Sequence, residues 1–458
     1  MLIEVSIGEA VDKYSILELK QKKITDRTKV KEIEKELTAL SICKPYIEKM
    51  SSQYKWLTYI NEKIWNMTDI IKSTSVNDPN FSTISNSIFE NNQKRFRIKS
   101  FFNDQSNSVI QEQKSYASTI CIITIDSLDT FYFKLPEINY LSIQYDFLFF
   151  ACDDEIIMED TIYAIYTGKH ILRNTILNKD NKNIIQITLS EYNIVDDREI
   201  FDFDELSYIS GGCLGDFIQT TSVVAEIFYL TGKRGILYIS EKYGADIFRN
   251  GLENTYKDTY EMIKNQVWCK AFLIEDSINM NKPLTVINLN QWRKSQFLYR
   301  TNWYNIFKHT YCVEWAKHTW LSLPKTHNHN HICKNKILIN MTSYRFSDSL
   351  NFDLLVDTYG VDAILFITNC QDDYNMFKKN YKCNVPCYTP TSFTDLCTAI
   401  KLCKLFVGGL SAPLTIAHAF FVDRVICLTG SSVDDIHNTN YPYWYNIHYE
   451  FLKKKLTI

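Results

Sequence analysis

The chain has few glycines and prolines, 13 and 9 in 458 residues. Collagen-like and low-complexity chains need far more of both, so these classes are excluded. The 13 cysteines form no Cys-x-x-Cys pair, which predicts reduced thiols and neither a disulfide framework nor a zinc ribbon. The 50 basic and 53 acidic residues give a formal charge of -3, so the sequence carries no basic footprint for nucleic acid.

Long apolar runs are also missing. The longest, around residues 145–152, is far shorter than the roughly 18 residues that a membrane span needs. The N-terminus has neither a basic segment nor an apolar one, so no signal peptide is predicted. We therefore expect a cytoplasmic protein with no membrane span.

Residues 1–104 have the pattern of a helical domain. Ser6 and Glu9 have the spacing of a capping box, and apolar residues recur every three or four positions after them. Pro45 should end or kink a helix there. The basic run at 94–99 is typical of a solvated face, with a surface for phosphate or an acidic partner as the alternative.

This segment resembles a small bacterial family of unknown function. The matching positions are Leu2 to Glu9, Asp12, Lys13, Ile16 to Glu18, Asn61 to Trp65 and Asn91 to Arg95. The resemblance implies no reaction. Docking of a protein partner is one candidate role for residues 1–104.

Residues 105–204 are rich in β-branched and aromatic residues, which predicts a small β-rich domain. The expected strands cover 119–125, 130–134, 140–151 and 184–189. Short acidic groups at 153–155 and 202–204 are more typical of solvated turns than of a metal site.

The last 250 residues alternate strands with helices of 10–14 residues, which indicates parallel, helix-covered sheets. Two such lobes are predicted, at 205–325 and 336–458. The predicted fold class is therefore α/β, with two Rossmann-like lobes after a helical domain and a small β-rich segment. The stretch 325–335 is interpreted as a linker; its alternating histidines (327, 329 and 331) have metal binding as a weaker alternative.

A glycine-rich loop follows the first strand of the first lobe, at Gly211, Gly212 and Gly215. Glycines before a helix N-terminus let backbone N–H groups approach an anion, so these three are candidate phosphate-binding residues. Asp216 is either a helix cap or a general base that faces the cleft. Asn290 and Arg293 follow a buried strand of the same lobe and are candidate acceptor-binding residues.

The second lobe has a similar turn. Small residues and a proline open a helix after a buried strand, as expected for a diphosphate site or for a structural turn. Candidate donor-binding residues are Gly409, Ser411, Ala412 and Thr415 in this turn, and Thr342, Ser343 and Arg345 after the lobe's first strand. His418 is expected to be a packed side chain.

Leu214 to Phe217 and the later Gly408 to Ala417 element resemble the two-lobed, GT-B type glycosyltransferases of the heptosyltransferase family. The resemblance implies that Asp216 activates an acceptor hydroxyl and that the turn at 408–415 faces a nucleotide-sugar donor. Leu410, Ala412 and Thr415 depart from the family pattern.

The function implied by this resemblance is inverting sugar transfer from a nucleotide sugar to a glycan or other hydroxyl acceptor. No cofactor and no bound metal are expected. The alternatives are a catalytically inactive scaffold or glycan-binding protein, and another two-lobed enzyme such as a sugar-nucleotide epimerase.

Overall fold

A computed structural model describes residues 4–110, 119–126, 130–131, 134–152, 184–193, 205–275, 286–295, 297–298, 302–324, 331–343 and 352–427. The described chain forms two compact units, one up to residue 193 and one from residue 205 onward. The first contains α1 (Ile7–Lys23), α2 (Arg27–Ala39), α3 (Lys44–Lys49), α4 (Ser51–Ser73), α5 (Pro79–Gln105), β1 (Ile120–Ile125), α6 (Leu135–Gln144), β2 (Phe147–Cys152) and β3 (Ile184–Thr188).

The second unit contains β4 (Glu205–Ser210), α7 (Leu214–Thr231), β5 (Arg234–Ile239), α8 (Leu252–Lys264), β6 (Cys269–Ile274), β7 (Val286–Asn288), α9 (Trp303–Tyr311), β8 (Ile337–Asn340), α10 (Asp353–Tyr359), β9 (Ile364–Ile367), α11 (Gln371–Tyr381), β10 (Cys387–Tyr388), α12 (Phe393–Leu402), β11 (Leu405–Gly408), α13 (Ala412–Ala419) and β12 (Arg424–Ile426). Short 3₁₀ turns cover Ser41–Cys43, Gln291–Lys294 and Val361–Ala363.

Helix α1 begins where the capping pattern predicts. The Ser6 hydroxyl accepts a hydrogen bond from the Glu9 N–H at 3.1 Å and so caps α1. Pro45 lies in the first turn of α3 after α2 has ended, as its missing N–H requires. Helices α1, α4 and α5 enclose a core that includes Val11, Leu57 and Phe102.

The segment predicted as β-rich is a small parallel α/β sheet. Its strand order is β2-β1-β3, and both pairs are parallel. Helix α6 replaces the strand expected over 140–144, because neighbouring parallel strands need a crossover between them. Buried Leu135, Ile138 and Leu141 follow helical spacing along it. The strand expected over 130–134 is wrong at its described residues, since 130–131 are helical and Lys134 directly precedes α6. Residues 132–133 lie outside the described residues, as do 153–155 and 202–204.

The helices and this sheet belong to the same compact unit. Arg97 on α5 donates to the Asp146 carboxylate at 2.8 Å and to the Ile143 carbonyl at 3.2 Å. The domain boundaries suggested by the sequence (1–104, 105–204, 205–325 and 336–458) stay predictions.

The second unit contains two separate parallel sheets. Their orders are β6-β5-β4-β7 and β10-β9-β8-β11-β12, with all pairs parallel. In each sheet the chain starts in the middle and moves to one edge before it crosses to the other side. This is the doubly wound pattern, which places ligands at the carboxyl ends of the strands. The predicted fold class, with two α/β lobes, is confirmed.

Helices α7 and α13 pack together and connect the two sheets within the unit. His418 on α13 is buried and meets the rings of Trp315 and Trp320 edge to face, with centroids 5.0 and 4.9 Å away. The Trp320 indole donates to the Ile218 carbonyl on α7 at 3.0 Å. The prediction that His418 is a packed side chain is confirmed.

Twelve of the 13 cysteines have described side chains, and all twelve are free thiols. Among the described helices, none combines the length and apolar character that crossing a membrane requires.

Candidate functional site

The loop between β4 and α7 is shaped by glycines that pack against the protein. A Cβ on Gly211 would meet the Ser240 carbonyl oxygen, and one on Gly212 would meet the Arg293 guanidinium. Gly212 also has a φ of +103°, a conformation that side chains disfavour. Packing therefore explains the first two predicted phosphate-binding glycines without any ligand.

Asp216 lies in the first turn of α7 and is paired with Arg293. The Asp216 Oδ2 atom is 2.8 Å from Arg293 Nη2. The Asp216 side chain is 32% exposed and that of Arg293 only 14%. The carboxylate is thus accessible at the surface of the site, while its cationic partner is largely enclosed.

Asn290 connects Arg293 to the start of the same loop. Its Oδ1 accepts hydrogen bonds from the Gly211 N–H at 3.1 Å and from Arg293 Nη1 at 3.3 Å. Asn290 is 1% exposed. The structure thus brings the predicted base and both predicted acceptor-binding residues together, with Asn290 and Arg293 bonded to the protein.

The turn after β11 lies at the carboxyl end of the second sheet. The Ser411 hydroxyl donates to Asn340 Oδ1 at 3.0 Å and contacts the Gly409 carbonyl at 3.2 Å. It is therefore turned toward the end of β8 and not toward α13. Thr415 is buried on the first turn of α13.

The N-termini of α7 and α13 meet at this edge. A Cβ on Gly215 would lie 3.4 Å from Ala412 Cα and 3.7 Å from Thr415 Oγ1. Within the described part of the chain, no side chain caps the N-terminus of either helix. Two sets of backbone N–H groups with positive helix-dipole ends thus lie side by side, which favours an anion.

Thr342 and Ser343 follow β8, beside a shallow cleft against α11. The Ser343 N–H donates to Asp373 Oδ1 at 2.8 Å. The cleft is lined also by Met341, Met376 and Tyr381. Arg345, the predicted phosphate-binding cation, lies outside the described residues.

Sequence reasoning missed two polar residues of this site. Asn340 is the last residue of β8. Its side-chain oxygen accepts a hydrogen bond from the Ser411 hydroxyl, and its Nδ2 donates to the Ile367 carbonyl at 2.8 Å. Its position at the carboxyl end of a buried strand was the available signal. Asp246 lies 3.5 Å from the Arg293 guanidinium, and no sequence pattern pointed to it.

The described part of the histidine-rich linker forms a polar cluster with α12. His331 Nε2 is 2.8 Å from Asp395 Oδ1, and the Tyr388 hydroxyl donates to Asp395 Oδ2 at 2.8 Å. Burial alone would raise the pKa of Asp395, but hydrogen bonds from Thr391, His331 and Tyr388 together lower it below its usual value. His327 and His329 lie outside the described residues, and within those described no group of three or more potential ligands is arranged for a metal ion.

The motif residues of the helical segment meet in a polar seam between helices. Arg95 on α5 pairs with the buried Asp12 carboxylate on α1, and the Asn61 amide on α4 donates to the same carboxylate at 3.0 Å. One turn along, Lys99 pairs with Glu9. Helix packing therefore accounts for Glu9, Asp12, Asn61 and Arg95 among the motif residues.

Comparison with protein families agrees with the first resemblance. Residues 1–132 match the family of unknown function DUF6165. A comparison with curated proteins gave no match.

Several solved structures are similar to the chain. A glycosyl transferase family 9 protein of Veillonella parvula is 11% identical with a TM-score of 0.36, covering 56% of this chain and 90% of its own. The heptosyltransferase WaaC of E. coli, solved with an ADP-heptose analogue, is 9% identical with a TM-score of 0.22, covering 72% and 92%. MnaA of S. aureus, solved with UDP, is 10% identical with a TM-score of 0.22, covering 69% and 81%. The chain is similar to these proteins at low sequence identity. The function proposed for it rests on the chain's own residues.

Proposed function

We propose that the two-sheet unit binds a nucleoside-diphosphate sugar and transfers the sugar to a hydroxyl group of a glycan or similar acceptor. One observation carries this proposal: the uncapped N-termini of α7 and α13 meet next to the partly exposed carboxylate of Asp216. Paired helix N-termini suit a diphosphate, and the carboxylate suits a proton acceptor.

The reaction that these groups suit is an inverting displacement without a metal. The acceptor hydroxyl gives its proton to Asp216 while its oxygen bonds to the anomeric carbon. The bond from that carbon to the diphosphate oxygen breaks, and the nucleoside diphosphate leaves with the electron pair. The helix N-termini stabilise the charge that develops on the leaving group, as preorganised dipoles do in other sites.

The donor side of the proposed site is the turn at Gly409, Ser411, Ala412 and Thr415. Thr342 and Ser343 follow the neighbouring strand β8 and belong to the same edge of the sheet. The acceptor side is the β4–α7 loop with Asp216. We do not require the β4–α7 glycines to contact phosphate, because Gly211 and Gly212 have packing roles of their own.

Ligand binding by the full chain tests the proposal first. We expect ADP or UDP to raise the melting temperature by mass action and AMP or UMP to raise it less, since the monophosphates lack the second phosphate. Calorimetry then gives the dissociation constants. Equal effects of monophosphates and diphosphates would contradict a diphosphate site, and no binding of any nucleotide would reject the proposal.

A non-catalytic binding protein is the second candidate. The buried Leu410 stands in the turn where the heptosyltransferase resemblance expects an aspartate. Donor hydrolysis and transfer, measured after binding is established, separate the two functions. Nucleotide-sugar binding without turnover over a panel of donors and acceptors would favour the binding protein.

A further inference from the structure

We propose that Arg293 is a positioning residue, which holds the Asp216 carboxylate and the loop that carries it in the orientation needed for proton transfer. The inference rests on the proposed function. It differs from the role suggested by the sequence, in which Arg293 contacts the acceptor.

Arg293 and Asn290 connect the two ends of the β4–α7 loop through side-chain hydrogen bonds. Asn290 Oδ1 accepts from the Gly211 N–H at the start of the loop and from Arg293 Nη1. Arg293 Nη2 then donates to Asp216 Oδ2 at its end. Because the backbone donor at Gly211 needs an oxygen acceptor, it fixes the orientation of the Asn290 amide. One guanidinium therefore links both ends of the loop.

Gly212 leaves the space that the Arg293 guanidinium occupies. A Cβ on Gly212 would lie 2.3 Å from Arg293 Nη2, so only glycine permits the observed position. At the same point Gly212 has a φ of +103°, a backbone conformation that residues with a side chain disfavour. The loop and the arginine thus fit each other closely.

The guanidinium of Arg293 also lies over an aromatic ring. Its guanidinium carbon lies 4.4 Å from the centroid of the Trp292 ring. The Trp292 ring is buried against Trp303, with ring centroids 4.6 Å apart, and the backbone N–H of Trp292 donates to the Tyr311 hydroxyl at 3.2 Å. The guanidinium is planar, so it can stack on an aromatic face while its N–H groups bond neighbouring oxygens in fixed directions, which the lysine ammonium cannot do.

The carboxylates of Asp216 and Asp246 both lie close to the Arg293 guanidinium, and they differ in solvent exposure. The Asp216 side chain is 32% exposed and its Oδ2 lies 2.8 Å from Arg293 Nη2, whereas the Asp246 side chain is 66% exposed and its Oδ2 lies 3.5 Å from Arg293 Nε. The closer, more enclosed pair is the one that restricts side-chain rotation. For a general base this matters, because displacement of a reacting group by about 1 Å costs on the order of 100-fold in rate.

The test compares Arg293→Met and Arg293→Lys with the neighbouring, exposed Lys294→Met as the matched control. We expect Arg293→Met to lower kcat by roughly 10- to 100-fold, with nucleotide-diphosphate affinity and acceptor KM within about twofold. Arg293→Lys should recover part of the loss. In Arg293→Met the acidic limb of the pH–rate profile should move to higher pH, because a carboxylate without its cation takes up a proton more readily.

Other outcomes overturn the proposal. A raised acceptor KM with unchanged kcat would restore the acceptor-binding role, and unchanged kinetics would remove any role. Addition of Arg293→Met to Asp216→Asn should cause little further loss, since both act through one group; fully multiplicative losses would contradict the proposal.

A measurement without turnover keeps this inference apart from the proposed function. In protein labelled with ¹³C-carboxyl aspartate, the Asp216→Asn variant identifies the Asp216 resonance. We expect that resonance to titrate at higher pH in Arg293→Met than in the wild type and in Lys294→Met. An unchanged titration would overturn the positioning role, whether or not the protein transfers sugar.

Discussion

Gly215 and Ala412 lie against each other where helices α7 and α13 begin. A methyl group on Gly215 would lie 3.4 Å from Ala412 Cα, already at van der Waals contact, so the atoms of a larger side chain would have to displace α13. The close approach places the two helix N-termini side by side, so the proposed diphosphate site depends on the size of these residues.

Gly215→Val should therefore separate the helices. We expect a loss of about 1–3 kcal/mol in the free energy of unfolding, typical of overpacking, and nucleotide-diphosphate affinity lower by tenfold or more. Urea denaturation and calorimetry measure the two effects. Leu230→Val, at an exposed position near the other end of α7, is the control and should change neither; unchanged affinity in Gly215→Val would contradict the shared site.

Asp216→Asn tests the proposed base. Asparagine keeps the size of the side chain but cannot take up the proton, so transfer should fall by roughly 10²–10⁴-fold with donor affinity near normal. Glu253→Gln, an exposed acidic residue in the first turn of α8, is the matched control and should keep full activity. If Asp216 serves only as a helix-terminal residue, transfer will survive the substitution.

Cys213 reports on occupancy of the site. Its thiol is exposed at the N-terminus of α7, three residues before Asp216. A bound nucleoside diphosphate should slow alkylation of Cys213, because it covers that helix end, and leave Cys312 at the end of α9 unaffected. Mass spectrometry of the alkylated peptides gives both rates; equal protection at the two cysteines would indicate a global change and not local coverage.

Local patterns predicted the elements that depend on neighbours in sequence. Ser6 caps α1, and Gly232 ends α7 in the left-handed conformation, since both roles need only a few adjacent residues. The β4–α7–β5 unit followed from its alternating pattern in the same way.

The helix α6 was not predicted, because its tyrosine, isoleucine and leucine residues suit a strand equally well. The need for a crossover between the parallel strands β1 and β2 decides the outcome. This constraint arises only once the sheet exists.

The candidate site was likewise predicted only where it depends on residues that are close in sequence. Asp216 was predicted from its place before a helix, whereas its link to Arg293 spans 77 residues and its neighbour Asp246 follows another strand. Glycines at 211 and 212 suggested an anion, but contacts with Ser240 and Arg293 explain them. A glycine-rich loop sequence does not show whether the backbone lies close to a ligand or to another part of the same chain.

Asp395 should make stability depend on pH. Its pKa is lowered in the folded protein, so its stabilising effect is present above the unfolded value of about 3.9 and is lost as the pH falls through the folded value. The wild type should exceed Asp395→Asn in stability at pH 5, and this difference should shrink toward pH 3.

Urea denaturation at the two pH values measures the difference. Asp357→Asn, at an exposed position on α10, is the control and should leave the pH dependence as in the wild type. A gap between wild type and Asp395→Asn that is equal at pH 5 and pH 3 would contradict the prediction.

Gly8 tests the polar seam of the helical segment. Its N–H donates to Asn103 Oδ1 at 2.6 Å, and a Cβ at this position would lie 2.3 Å from the Lys99 carbonyl oxygen. Alanine favours a helix over glycine by about 1 kcal/mol, but a backbone carbonyl inside α5 cannot turn away as a flexible side chain can. The steric cost should therefore exceed the gain in propensity.

We expect Gly8→Ala to lower the free energy of unfolding by about 1–3 kcal/mol, seen as a lower urea midpoint. Gly409→Ala is the matched control, since its added methyl would meet neighbours only at ordinary distances of 3.7–3.8 Å and should cost much less. If Gly8→Ala unfolds at the wild-type midpoint or above, α1 moves away from α5 at no cost, and the close approach at Gly8 is not what holds the seam together.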